Sequence, residues 1–347
     1  MPVAVRVSAP LRVDCGNALD LMEIAAVMQP YRPCTVNIAV NLRVQVTIEH
    51  QDGAGIVIDD EVGVTKFGSL TEISFKGPTR LTAVILHHFQ LEGIRVTIRS
   101  PVLRGSGLGG SGAVALGLVA ACQAYLRFPE QIPMSAARLS AMAMLAQSLE
   151  MAITPAPVGI QDHLAAAFGG VSLWEWEARD RTPPFRHVRL DGAETVRGLN
   201  DRLLVCLLRE PHRDGGLSLA WAESVRNGEL ETWVRTAGAT RIFARAIRAG
   251  RWPAALAALN EECELRAREW PQVMTGSASV FRSAVLGSGG AARFCGGGDG
   301  GALWALIEPG RREDFANAWT TDAASADGEL VRPEVDGQGL VIECMPG

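Results

Sequence analysis

The chain has 347 residues, 48% of them hydrophobic and 20% charged, with a net charge of −5. That composition supports a sizeable core in one or two domains. It gives no basic surface for nucleic acid and no apolar run of the roughly 18 residues that a membrane span needs. The opening Met1-Pro-Val-Ala-Val-Arg6 does not read as a signal peptide. The seven cysteines (Cys15, Cys34, Cys122, Cys206, Cys263, Cys295 and Cys344) include no CxxC pair and no His/Cys metal spacing. The expectation is free thiols in a reducing cytoplasm, without a disulfide framework or a zinc site.

Strands come first along the chain. Residues 3–7 alternate, and 35–48 are rich in β-branched residues. Residues 55–59 and 71–75 are further expected strands, followed by a helix over 81–89 and a strand over 95–99. The run from Pro101 to Ala113, Pro-Val-Leu-Arg-Gly-Ser-Gly-Leu-Gly-Gly-Ser-Gly-Ala, then separates that strand from a helix over 113–126. Its glycines admit sharp turns and bring backbone N–H groups close to an anion. The helix adds unpaired N-terminal donors and a positive dipole end, which together suit a phosphate. The loop is not a Walker A sequence, since the chain's only lysines are Lys66 and Lys76, and it fits the dinucleotide fingerprint only in part. A glycine turn without a ligand is the plainer alternative.

Helices over 135–150 and 162–168 and a strand over 170–177 follow. A polar, proline-bearing stretch, 178–198, divides the chain into expected domains at 1–195 and 196–347. The second domain reads as a strand at 202–208, helices at 217–227, 229–249, 252–268 and 277–286, and a strand at 292–295. A second glycine loop, a strand at 302–307, a helix at 311–320 and a last strand at 340–344 complete it. The class is α+β, with two lobes and two glycine loops.

Four features carry chemistry. Ser111, at the helix start, is placed to ligate Mg²⁺ or touch a phosphate, or else to cap the helix. Glu150, near a helix end, suits a hard cation beside a hydroxyl, or is a solvated helix residue. Asp162 is either an N-cap or a carboxylate that orients or deprotonates an attacking hydroxyl, while the neighbouring His163 fits a packing or hydrogen-bonding role. Gly296-Gly-Gly-Asp-Gly-Gly301 has more glycine than a hairpin turn needs.

In combination these stretches resemble the GHMP kinase superfamily of galactokinase, homoserine kinase, mevalonate kinase and phosphomevalonate kinase. Gly107-Leu-Gly-Gly-Ser-Gly-Ala113 is similar to its second motif and Gly296–Gly301 to its third. Ala9-Pro-Leu-Arg-Val-Asp14, the strand at 35–48 and Gly159-Ile-Gln-Asp-His-Leu-Ala-Ala-Ala-Phe-Gly-Gly170 resemble the branch of D-glycero-D-manno-heptose 7-phosphate kinases and fucokinase-like sugar kinases. The resemblance implies a two-lobed GHMP kinase fold, with a ribosomal protein S5 domain 2-like N-terminal lobe and an α/β C-terminal lobe. It implies transfer of phosphate from ATP, with Mg²⁺, to a sugar or sugar phosphate such as a heptose 7-phosphate, at the anomeric hydroxyl. The alternatives are a kinase of a non-sugar alcohol (an amino acid or isoprenoid) and a catalytically weakened nucleotide-binding homologue. The expected partner is a small-molecule sugar or sugar phosphate, with neither nucleic acid nor membrane, and the expected state is a monomer or homodimer.

Residue by residue, the resemblance implies a triphosphate loop at Arg104, Gly105, Ser106, Gly107, Leu108, Gly109, Gly110, Ser111 and Gly112. Ser111 and Glu150 would contact Mg²⁺. Asp162 would be the catalytic base, and Arg12 would meet a substrate phosphate or the developing charge. Asp20, Gln161 and His163 would face the acceptor, and Gly297, Gly298 and Gly300 would close over the reacting groups. Three departures stand out: Cys15-Gly-Asn-Ala-Leu-Asp20 is poorer in glycine than the first motif, His163 replaces glutamine, and Asp299 replaces glycine. Asp299 near phosphates is unfavourable unless metal or Arg293 offsets it.

Overall fold

The computed structural model describes residues 4–53, 55–130, 133–178, 183–213, 216–321 and 328–345. Its strands are β1 (Ala4–Cys15), β2 (Cys34–His50), β3 (Ile56–Asp60), β4 (Gly63–Phe67), β5 (Ile94–Arg99), β6 (Val171–Trp176), β7 (Phe185–Arg189), β8 (Leu203–Leu208), β9 (Ala291–Phe294), β10 (Ala302–Leu306), β11 (Gly328–Val331) and β12 (Val341–Met345). Its helices are α1 (Met22–Met28), α2 (Arg80–Phe89), α3 (Gly110–Arg127), α4 (Ala136–Met151), α5 (Gln161–Phe168), α6 (Ala193–Asn200), α7 (Leu217–Arg226), α8 (Glu231–Arg248), α9 (Trp252–Glu269), α10 (Gly276–Gly287) and α11 (Pro309–Thr321).

The long strand β2 is the spine of the first sheet. It pairs with β1 along most of its length, with β5 over Gln45–His50 and with β6 over Cys34–Ile38. The sheet runs β12-β1-β2-β5-β3-β4, and β6 carries β7. The pairing of β1 with β2 shifts register between Pro10 and Leu11, where proline has no N–H to give the ladder. Strands β3 and β5 run parallel, joined by a crossover through α2. Helix α3 packs on β1 and β2. A Cβ at Gly117 would lie 2.9 Å from Val46 Cγ2, so a glycine there permits the close approach. The second sheet, β11-β8-β10-β9, is antiparallel and packs on α10. Phe281, Trp319 and Leu303 are buried beside it.

Most expected elements are present, and the differences have physical reasons. Residues 71–75 are not a strand: Leu70–Glu72 is a 3₁₀ turn, and Leu70 and Ile73 both reach the core at a spacing of three rather than two. Strand β4 escaped the pattern because Gly63–Thr65 and Lys66 are exposed on a sheet edge. The stretch 178–198 is no mere divider, since β7 and most of α6 lie in it. Val3 of the expected first strand and residues 179–182 of that stretch lie outside the described residues. The boundary expected near 195 falls within α6, and β12 returns to pair with β1, Ala4 opposite Met345. No helix among the described residues is long and apolar enough to cross a membrane. All seven cysteines are free.

Candidate active site

Three consecutive alternate glycines shape the first loop. Gly105, Gly107 and Gly109 have φ of 78°, 74° and 78°, a region that side chains disfavour. Gly109 is the N-cap of α3 and supplies no side-chain cap, whereas Ser135 caps α4 through the backbone N–H of Arg138. The N–H groups of Gly110, Ser111 and Gly112 therefore begin an 18-residue helix without intrahelical acceptors, a ready anion site. Ser111 is not the cap. Its hydroxyl donates to Glu150 Oε1, while Glu150 Oε2 lies 2.9 Å from His163 Nε2. Burial raises the pKa of Glu150, but the His163 and Ser111 contacts and the charge of Arg80 outweigh this and leave it below the ordinary carboxylate value.

Asp162 sits in the first turn of α5, whose N-cap is Ile160, so it is not a cap either. Arg12 holds it: Nε donates to Asp162 Oδ1 at 2.8 Å and Nη2 lies 2.7 Å from the same oxygen. Arg12 Nη1 donates to the Gly107 carbonyl at 2.7 Å and pairs with Asp14 Oδ2 at 2.8 Å. Burial lowers the pKa of Arg12, yet Asp162 and Asp14 reverse this and hold it above the usual arginine value. The guanidinium thus ties Asp162 to the first glycine loop; it is engaged at all three nitrogens rather than free for another anion. Space is tight here. A Cβ at Gly112 would lie 2.7 Å from Asp162 Cβ, and one at Gly109 would lie 3.4 Å from Asp162 Cγ.

Asp20 is buried, and its Oδ2 accepts the backbone N–H of Gln161 at 2.9 Å. Its Oδ1 has no partner among the described residues. Burial first, and then the charge of Asp162, push its pKa up to about 6, against the opposing pull of the Gln161 N–H and Arg12. The Gln161 side chain bridges Asn37 Nδ2, at 2.9 Å, and Asn17 Oδ1. Gly159 makes room for the carboxylate, because a Cβ there would sit 1.9 Å from Asp20 Oδ2. Gly159→Ala is expected to displace Asp20 and cost about 1–3 kcal/mol of stability by overpacking. A thermal melt checks this, and an unchanged Tm would contradict it.

One cavity of about 690 Å³ gathers these groups. Arg12, Asp20, Arg104–Gly107, Gly109–Ser111, Glu150, Gln161–His163 and Gly297 all line it. Leu108 is buried and contributes its carbonyl to the Arg12 N–H, at 3.0 Å. Gly112 packs on Asp162 instead of lining the cavity. Arg104 is held at the mouth by Asp60, at 2.8 Å. Gly298 and Gly300 lie behind the cavity wall: their Cβ positions meet Val273 O at 2.4 Å and Pro211 O at 2.5 Å. Asp299 adopts a left-handed φ of 54°, and its backbone bonds Val273 and Arg213. Arg293 does not offset its charge, being buried against Asp14 (2.5 Å) and Glu262 (2.5 Å).

Sequence reasoning left Asp14, Glu262 and Arg266 without a role and gave Arg293 only that of offsetting Asp299. The Arg12-x-Asp14 spacing on one strand face was a usable signal for the first. The other three meet the N-terminal segment across 279 positions (Arg293 to Asp14), 246 (Glu262 to Gly16) and 249 (Arg266 to Asn17), and left no local pattern.

The donor set fits a magnesium nucleotide. Mg²⁺ takes one or two carboxylates and completes its shell with water and phosphate oxygens. Ser111 Oγ and Glu150 Oε1 are such a pair of hard oxygens, directly beside the α3 N-terminus. Among the described residues no cluster of three or more His, Cys, Asp or Glu side chains would hold a metal by itself.

Comparisons with known proteins agree on the fold. Residues 78–170 match the family model described as GHMP kinases N terminal domain. The chain is similar to the crystal structure of a D-glycero-D-manno-heptose 1-phosphate kinase from Bacteriodes thetaiotaomicron, at 19% identity and a TM-score of 0.75, covering 99% of this chain and 100% of that one. Lactococcus lactis galactokinase complexed with galactose follows at 17% and 0.74, covering 97% and 95%. Methanococcus jannaschii mevalonate kinase is similar at 15% and 0.70, covering 95% and 98%. Against curated protein sequences the chain has no significant match.

Proposed function

We propose that this chain, whose residues 78–170 match the model of the GHMP kinases N terminal domain and whose fold is that of the structures compared above, is an ATP- and Mg²⁺-dependent kinase of a sugar or sugar phosphate, acting at the anomeric hydroxyl. One observation carries the reading. Asp162 stands between the α3 phosphate loop, which presses on it through Gly109 and Gly112, and Asp20, whose carboxylate is held by the N–H of the adjacent Gln161.

Phosphoryl transfer needs alignment and charge neutralisation more than covalent chemistry. The N–H groups of Gly110–Gly112 receive the transferring phosphates. Ser111 and Glu150 would hold Mg²⁺, which would supply charge neutralisation there. Asp162 orients the acceptor hydroxyl and takes its proton. Arg12 fixes Asp162 against the loop, which makes the base part of one rigid unit. Asp20 Oδ1, buried and unpartnered, accepts a second hydroxyl of the acceptor; Gln161 and Asn17 extend that polar wall. Three similar structures carry sugar or mevalonate kinase names. The hydrogen-bonding wall at Asp20 favours a polyhydroxylated acceptor over an isoprenoid.

A coupled ADP assay on free sugars, sugar phosphates, homoserine and mevalonate tests this. Turnover on a sugar or sugar phosphate is expected; turnover on homoserine or mevalonate alone would replace the reading. Acceptor binding should also follow the ionisation of Asp20. Below about pH 6 the carboxyl is protonated and loses its charge-assisted acceptance, so acceptor affinity falls as pH drops through that value. The acceptor KM should rise by up to ~10-fold per pH unit below the pKa and stay flat above it. Asp20→Asn should show a raised KM without this dependence. A wild-type KM constant from about pH 5 to about pH 8 would remove Asp20 from the acceptor site.

A further inference from the structure

Helix α9 brings two fully buried charges, Glu262 and Arg266, one turn apart to the back of the site. Both reach the turn after β1: Glu262 Oε1 accepts the Gly16 N–H at 3.2 Å, a bond that an amide oxygen could keep, and Arg266 holds the next residue's carbonyl. Glu262 grips Arg293 in a fork, Nε to Oε2 at 2.5 Å and Nη2 to Oε1 at 3.0 Å. Arg293 Nη1 reaches Asp14 Oδ1 at 2.5 Å, Asp14 Oδ2 reaches Arg12 at 2.8 Å, and Arg12 reaches Asp162 at 2.7 Å. Charge alternates without a break from Glu262 to the proposed base. Asp14 Oδ2 also accepts the Gly296 N–H at 2.9 Å, so the same chain anchors the second glycine loop.

Arg266 has no carboxylate in contact among the described residues. Its guanidinium lies 4.3 Å over Trp221, 4.7 Å over Trp233 and 5.5 Å from Trp270. Nη1 donates to the Asn17 carbonyl at 2.7 Å, while Nε and Nη2 have no hydrogen-bond partner among the described residues. Aromatic faces thus stabilise a cation whose one hydrogen bond goes to the turn that carries Asp20. Trp221 also lines the cavity, and neither Glu262 nor Arg266 does.

We infer that α9 positions the two halves of the site by two routes: Glu262, through Arg293 and Asp14, sets Arg12 and Asp162, and Arg266, beside the Glu262–Gly16 bond, sets the turn bearing Asn17 and Asp20. Both are positioning residues, and the inference rests on the kinase reading of Asp162 and Asp20. Their substitutions should therefore separate in kinetics. Glu262→Gln is expected to lower kcat by about 10- to 100-fold with acceptor KM within about threefold, and Glu262→Asp to recover most of the loss. Arg266→Met is expected to raise acceptor KM about tenfold with kcat within about threefold. If Glu262→Gln does not fold, Arg293→Lys replaces it, since it keeps the charge and loses the fork.

The full chain is used throughout, with a crystal structure of the Glu262 variant beside the kinetics. That structure should show Asp162 withdrawn from Arg12. Two results would overturn the inference: an undisturbed Arg12–Asp162 pair, or kcat and KM moving together in both variants. The structural readout needs no turnover, so a wild-type chain inactive on every acceptor would sink the kinase reading alone.

Discussion

Asp162→Asn should lower kcat by about 10²- to 10⁴-fold, the range for a positioned general base, while Mg-ATP affinity stays within about twofold. Asparagine keeps the shape that packs against Gly112 and can still accept a hydrogen bond from Arg12. It cannot take a proton from the acceptor hydroxyl. Arg12 keeps its bonds to Gly107 and Asp14, so the phosphate loop should stay in place. Steady-state kinetics with a calorimetric titration of Mg-ATP separate the two effects. A variant with wild-type kcat would remove Asp162 from the chemistry; one that loses Mg-ATP binding would make it a structural residue of the loop.

Glu150→Gln should lower kcat/KM for Mg-ATP by about 10²- to 10³-fold, equivalent to about 3–4 kcal/mol of lost electrostatic stabilisation. The substitution removes the only carboxylate in contact with Ser111 among the described residues. It also leaves His163, fully buried, facing a neutral amide in place of a carboxylate. The specific sign is in the metal dependence: half-maximal activity should require a much higher Mg²⁺ concentration at fixed ATP. An unchanged Mg²⁺ titration would mean that Glu150 serves only to hold Ser111 and His163.

The parts of the site that lie on continuous segments were legible in the sequence. Loop 105–112 and the start of α3 follow from glycine conformational freedom and the apolar helix behind it. Asp162 and Glu150 each had a bland local reading; the motif resemblance singled them out, and the structure sets Glu150 on Ser111 and Asp162 against Gly112. The residues behind them were not legible. Asp14 meets Arg293 across 279 positions and Arg266 meets Asn17 across 249, and a one-dimensional pattern carries no trace of such pairs. In the third motif Gly296 and Gly297 line the cavity. Glycine in a strained turn signals close approach of backbone, but Gly298 and Gly300 approach Val273 and Pro211 rather than the cavity. In the fold, periodicity located the buried strands and long helices. It failed where side chains face solvent on a sheet edge, as in β4, or where a polar run such as Arg186-His-Val-Arg189 forms a strand by pairing with β6.

The central claim is that one cavity transfers the γ-phosphate of ATP to a sugar hydroxyl beside Asp162. Phosphorus NMR of the wild-type chain with Mg-ATP and each sugar or sugar phosphate tests it most directly. The account predicts ADP and a new anomeric phosphate ester in equal amounts on at least one acceptor, with neither formed by Asp162→Asn. Mg-ATP that binds yet stays intact with every acceptor, or that yields only inorganic phosphate, would contradict it.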